Sequence, residues 1–182
     1  MNKWDSALYC ETDGWQMVNL YYKDARYSMY LFLPKKGNYQ PLDNEMINKL
    51  LSYDTTMRVK IEMPKIDIES EYDMTEALKA MGLHSMYQLE NNQDFSGMFS
   101  DGVNRAVDKT IQRTKITVNE HGTEAAAATQ HRMAGAGRVL TEPPVFQANR
   151  PFYYMITKTT GNSTVGINEE VLFIGQYVTA KQ

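Results

Sequence analysis

The stretch Glu120-His121-Gly122-Thr123-Glu124-Ala125-Ala126-Ala127-Ala128-Thr129 decides how the rest of this chain is read. On propensity alone it is a helix, with Thr123 as the cap and alanine, the best helix former, behind it. Two features oppose that reading. The run has no apolar stripe to dock on a core, and a short undocked helix is marginal in water. It also runs on into Arg132-Met133-Ala134-Gly135-Ala136-Gly137-Arg138, where two glycines work against helix continuation.

A second reading accounts for each residue in turn. The segment is exposed in one state and a central strand in another. Side chains alternate between the faces of a strand. Thr123, Ala125, Ala127 and Thr129 then share one face, and Glu124, Ala126, Ala128 and Gln130 the other. The first set is small throughout. That suits the packed side of a sheet, where a large residue would clash and a charge would sit unpaired. Gly122 supplies the pivot, since glycine accepts backbone angles other residues avoid. His131 faces inward late in this strand, where a neutral imidazole with one partner fits.

Outward from this segment the chain is mostly strand. Trp15 to Tyr22 and Arg26 to Leu33, separated by Lys23-Asp24-Ala25, predict a hairpin that stops at Pro34. Leu42 to Leu51 predicts a helix with Met46, Ile47, Leu50 and Leu51 on one face. Met57 to Met63 alternates apolar and charged residues, and Ile66 to Glu69 resumes the alternation after Pro64. Thr75 is the expected cap of a short helix, Glu76 to Met81, closed by Gly82. Residues 91–108 read as loop. Strands are expected over Thr110 to Val118, Val145-Phe146, Phe152 to Thr157 and Glu170 to Val178. Strands with two or three helices make the class α+β.

Composition narrows the function. The 182 residues are 42% hydrophobic, enough for a packed core. Nineteen basic against 22 acidic residues give a net charge of −3, which argues against a nucleic-acid partner. There is no apolar run of about 18 residues, so no membrane span is predicted, and Met1 to Asp5 leads into polar sequence with no signal-peptide pattern. Cys10 is the only cysteine and is expected to be buried. His84, His121 and His131 have no ligand spacing, so no metal is expected. No phosphate loop, no metal pair and no nucleophile with a nearby base appears, so the chain does not read as an enzyme and no cofactor is implied.

With these residues in view, Glu120-x-Gly122-Thr123-Glu124-Ala125-Ala126-Ala127-Ala128-Thr129 resembles the hinge of inhibitory serpins. Phe146-Gln147-Ala148-Asn149-Arg150-Pro151-Phe152-Tyr153-Tyr154-Met155-Ile156 is similar to the signature that follows the family's bait loop. Val171 to Val178 resembles its last strand. Pro64 to Ser70 and Asp94 to Met98 fit further upstream. The likeness runs over nearly the whole of residues 1–182, as the C-terminal portion of a single serpin domain. It implies mixed β-sheets with few helices and only that half of the fold, with the reactive centre loop at about 120–145.

The resemblance implies an endopeptidase inhibitor, serine-type or alternatively cysteine-type, that works as a suicide substrate. At the spacing inhibitory members keep from the pivot glycine, the reactive bond falls at Ala136–Gly137, which suits an elastase-like target. Arg138–Val139, two positions on, suits a trypsin-like one. Arg132–Met133 comes too early in the loop for full trapping. Gln112 stands where the family usually has a histidine that helps hold the sheet's opening region, and glutamine cannot become charged. The half of the domain that would flank the inserted hinge on its far side is not in this sequence. A complementary N-terminal half is therefore an implied partner, and open strand edges would favour aggregation or swapping without it. An extracellular setting also follows from the resemblance alone. A non-inhibitory binding protein on the same fold and an inactive fragment remain the alternatives.

Overall fold

The strand that organises the molecule is one the sequence pattern does not announce. Asn2–Glu11 forms β1, pairing antiparallel with β4 (Thr56–Glu62) over residues 2–8 and with β2 (Trp15–Tyr21) over residues 9–11. One strand thus serves two neighbours in turn. The residues at the changeover, Ala7, Tyr9 and Cys10, are all buried, which replaces the simple alternation of a one-faced strand. These features come from a computed structural model that describes residues 2–12, 14–36, 41–53, 55–89, 95, 97–99, 101, 103–119, 142–159 and 169–178.

The remaining elements follow the expected order. They are β3 (Tyr27–Pro34), α1 (Asn44–Leu51), β5 (Ile66–Asp73), α2 (Thr75–Ala80), a single 3₁₀ turn (Ser85–Tyr87), β6 (Ile111–Val118), β7 (Val145–Gln147), β8 (Phe152–Thr159) and β9 (Glu169–Tyr177). Among the described residues there are two sheets. Seven strands run in the order β7-β4-β1-β2-β3-β8-β9, and β5 pairs with β6 alone. The chain divides into two compact units, residues 1–66 with 118–182, and residues 67–117.

In the first unit, β2 and β3 are covered on both faces: Trp15 and Met17 to Leu20 are buried in β2, and Ser28 to Leu33 in β3. That explains the near-continuous apolar runs of both strands. The hairpin register sets Met17 opposite Phe32 and Val18 opposite Leu31. α1 covers one side of this sheet. Asp43 caps it by accepting a hydrogen bond from the Met46 backbone N–H at 2.8 Å. Leu50 is fully buried among Cys10, Trp15, Met17, Tyr30, Phe32 and Met155, with Met46, Ile47 and Leu51 packed alongside. The helical face expected from the sequence is the one that docks.

β8 pairs antiparallel with β3, Tyr30 opposite Met155 and Ser28 opposite Thr157. Thr157 is 1% exposed, and its hydroxyl has no hydrogen-bond partner among the described residues. β9 pairs with β8 and has no neighbour on its outer side among the described residues. Val171, Leu172, Phe173 and Ile174 are exposed there, an unusually apolar sheet edge.

In the second unit, β5 extends to Asp73, beyond the Glu69 expected from the sequence. Thr75 is not the cap of α2 but its first residue. The cap position is Met74, and Asp73 before it accepts from the Thr75 backbone N–H at 3.1 Å. The Thr75 hydroxyl is engaged elsewhere, accepting from the Thr110 backbone N–H at 3.0 Å. Gly82 closes the helix as expected, at a positive φ of 99° that favours glycine.

Candidate functional site

The segment 120–141 lies outside the described residues. The hinge, Glu120 and Gly122 to Thr129, and both candidate reactive bonds, Ala136–Gly137 and Arg138–Val139, fall within it. What the structure describes is each flank of that segment: β6 before it and β7 after it.

β6 ends at Val118, just ahead of the residues expected to form the hinge. One edge of β6 is paired with β5; the other carries no strand among the described residues. Ile116 and Val118 are buried, while Gln112 and the rest of the strand's first half are largely exposed. The base of β6 is held at Thr110. Its backbone N–H is bound by Thr75 Oγ1, its carbonyl accepts from the Met74 N–H at 2.9 Å, and its hydroxyl shares a 2.7 Å hydrogen bond with Tyr87 Oη. Three bonds on one residue fix where the strand starts.

After the segment, β7 pairs in parallel with β4, Ile61 opposite Phe146 and Glu62 opposite Gln147. Phe146 is fully buried and Val145 exposed, the alternation of an edge strand with one packed face. The polar residues of the signature form a relay. Gln147 Nε2 donates to Glu62 Oε2 at 2.9 Å, and Lys60 Nζ lies 2.6 Å from Glu62 Oε1. Lys60 first, then Gln147, hold the Glu62 carboxyl below the usual carboxylate range. Asn149 Nδ2 donates to Gln147 Oε1 at 3.2 Å, and Arg150 Nη1 donates to Asn149 Oδ1 at 3.2 Å. Arg150 Nε then donates to the Pro34 carbonyl at 2.6 Å, tying the signature to the end of β3. Burial lowers the Arg150 pKa from its ordinary value.

This arrangement restrains peptide. Cys10 is buried beneath α1 as expected, and burial pushes its thiol up to about 11, so it is held protonated at neutral pH. Sequence reasoning placed the strands β6 and β7 correctly but missed two things. The bond from Arg150 to Pro34 joins residues far apart in the chain and has no local signal. The alternating charges of Asp67, Glu69, Glu71 and Asp73 against Lys109, Arg113 and Lys115 were there to be read as a cross-strand pattern.

Comparison with known proteins agrees with this geometry. The family described as Serpin (serine protease inhibitor) matches residues 1–180. A serpin-like protein of Thermococcus kodakarensis is 31% identical over 179 residues, covering 95% of this chain and 39% of its own length. Serine proteinase inhibitor A3K of Cavia porcellus is 30% identical, covering 82% of this chain and 36% of its own. Among solved structures, the thermophilic serpin tengpin in its native state superposes with a TM-score of 0.66 at 26% identity, over 99% of this chain and 46% of that one. The chain therefore spans less than half the length of these relatives. With a mostly β architecture that superposes on serpin structures and a family match over almost every residue, the chain belongs to the serpin family.

Proposed function

We propose that this chain carries the bait loop and the loop-receiving strand of a protease inhibitor that traps its target as a covalent ester. The single observation that supports this most is β6, which runs up to the hinge sequence with one edge unpaired among the described residues. The target's nucleophile attacks the carbonyl carbon of Ala136, or of Arg138 in the alternative. The bond to the next residue's nitrogen breaks, and the freed amine takes a proton from the protease's own general acid. The acyl-enzyme then holds the two proteins together through residues on the hinge side. Residues 123–129, small on one face, add to the free edge of β6 before water reaches the ester. A dozen or more ladder bonds at about 1 kcal/mol each would stabilise the inserted state by roughly 10–20 kcal/mol. The uncleaved state is then held by kinetics.

The relay from Glu62 to Arg150 supports the other half of this reading, because the segment after the cut stays bonded to β4 and β3. An elastase-like serine protease fits Ala136, and a trypsin-like one fits Arg138. The partner on the inhibitor's own side is a polypeptide with the remaining part of the family domain. The exposed apolar residues Val171 to Ile174 on the open edge of β9 support it. Family members commonly act outside cells, and we assign this one there on that basis.

The test is incubation with an elastase-like and a trypsin-like protease, with this chain alone and with the complementary polypeptide added, followed by intact mass analysis. Cleavage at Ala136–Gly137 in both arms, with a denaturant-stable adduct only when the complementary half is present, is the expected result. An adduct at Arg138 moves the bait by two residues. Rapid cutting with no adduct in either arm overturns inhibition and leaves a substrate or a non-inhibitory binding protein. An adduct from this chain alone, with monomeric cooperative unfolding, removes the need for a second half.

A further inference from the structure

β5 places a carboxylate at every second position, Asp67, Glu69, Glu71 and Asp73, and strand alternation sends all of them to one face. On the same face, β6 and the residues leading into it carry Lys109, Arg113, Lys115 and Thr117. Thr117 Oγ1 donates to Asp67 Oδ1 at 3.2 Å, and Arg113 Nε donates to Glu71 Oε2 at 2.7 Å. The register fixed by these two rungs sets Glu69 opposite Lys115. Lys109 Nζ lies 3.4 Å from Asp73 Oδ2, and Asp73 Oδ1 is engaged by the Thr75 N–H. On this face the acids sit on one strand and the bases on the other or just before it, so the attraction runs across the pair, with Ile111 standing opposite Asp73 and Lys109 reaching Asp73 from ahead of β6.

We propose that this segregated charge face is an electrostatic clasp that keeps β6 bonded to β5, so that the opposite edge of β6 is the one left to take a new strand. The second clause rests on the inhibitor reading; the clasp does not. The physical need is plain. Among the described residues this ribbon has two strands, and such a ribbon is marginal in water unless something more than its ladder holds it. The apolar face of this ribbon offers Ile66, Ile68, Ile116 and Val118, of which Ile68 is only half-buried. A slip of the pair by one residue would turn the charges onto that apolar face, so the clasp also opposes the odd-numbered registers. Its rungs are solvent-exposed: the Arg113 side chain is 74% accessible and Glu71 51%. Such pairs are individually weak and are screened by salt. Attachment of β6 to β5 therefore tracks ionic strength, whereas the apolar packing of β2 and β3 does not.

Hydrogen exchange of the 182-residue chain tests this directly. Peptides covering 66–74 and 109–118 are compared at low and high sodium chloride, with residues 15–34 as the internal control. The expected result is exchange in the ribbon that is about three- to tenfold faster at high salt, with the control unchanged. Arg113→Glu reproduces the acceleration at low salt, and the double reversal Glu71→Arg with Arg113→Glu restores the slow rate. Arg113→Gln serves as the milder variant if the reversal unfolds the unit. Salt-independent exchange in the ribbon, or a double reversal that fails to restore protection, overturns the clasp. Failure of the inhibitor reading would appear in the protease assay and leave these rates unaltered.

Discussion

Tyr154 of β8 lies directly across Gly175 of β9, its ring so close that a methyl group on the glycine would stand 2.6 Å from Tyr154 Cζ. The glycine is required by this approach rather than by its backbone angles. Tyr154 is 7% exposed and cannot swing out freely. Gly175→Ala is therefore expected to destabilise the chain by about 1–3 kcal/mol, as overpacking does. Urea denaturation measures it. Pairing the change with Tyr154→Leu should recover most of the loss, and a neutral Gly175→Ala would contradict the contact.

Leu50 is the fully buried residue of α1 and fills the centre of the cluster around Trp15 and Phe32. Leu50→Ala is expected to cost about 2–5 kcal/mol. Exposed Lys49→Ala in the same helix should change stability by no more than about 0.5 kcal/mol. Thermal unfolding of both variants separates core packing from helix propensity.

Thr157 buries a hydroxyl that finds no partner among the described residues. Replacing it with valine keeps the shape and removes the cost of desolvating that group. Thr157→Val should raise stability by about 1 kcal/mol. A loss on chemical denaturation would mean the hydroxyl is satisfied in solution.

The thiol of Cys10 is raised by burial to about 11. A group whose neutral form is favoured by folding contributes its stability below the unfolded value, near 8.5 for cysteine, and loses it as pH climbs toward the folded value. Cys10→Ala should therefore flatten the fall in stability between about pH 8.5 and 11. At neutral pH, iodoacetamide should label Cys10 only at the rate of unfolding. Fast labelling of folded protein would show the site to be open.

Glu62 is held below its ordinary pKa by Lys60 and Gln147. The sign is the reverse of the thiol's. Its contribution is present above the unfolded carboxylate value of about 4.3 and is lost as pH falls through the lower folded value. Exchange at the Val145 to Gln147 amides should accelerate in that acid range. Glu62→Gln should exchange faster at neutral pH and lose that acid dependence.

The elements legible in the sequence were those with one dominant environment. α1 shows its docking face because Met46, Ile47, Leu50 and Leu51 recur at helical spacing. β2 and β3 show as apolar runs because both faces are covered. β1 was not legible, since Lys3, Asp5 and Ser6 interrupt its apolar residues and its two halves answer to different neighbours. Thr75 looked like a cap because local chemistry favours threonine there. Tertiary structure used its hydroxyl for Thr110, and the cap position fell to Met74. The strands on either side of residues 120–141 were placed correctly, whereas Arg150 reaching Pro34 depends on residues brought together only by the folded sheet. The hinge and both candidate reactive bonds lie outside the described residues.

The pairing of β3 with β8 sets an order on the birth of this protein. Tyr27 of β3 finds its opposite number in Lys158, and Lys60 of β4 finds its own in Val145. A ribosome making the chain from its amino end must therefore release residues 120–141 before either strand meets its later neighbour. For that interval the Met29 to Leu33 run has one flank uncovered, in a nascent protein already long enough to stick to others. A folding helper that binds short aliphatic-aromatic segments should engage this run during translation and leave it once Phe152 to Thr159 has emerged.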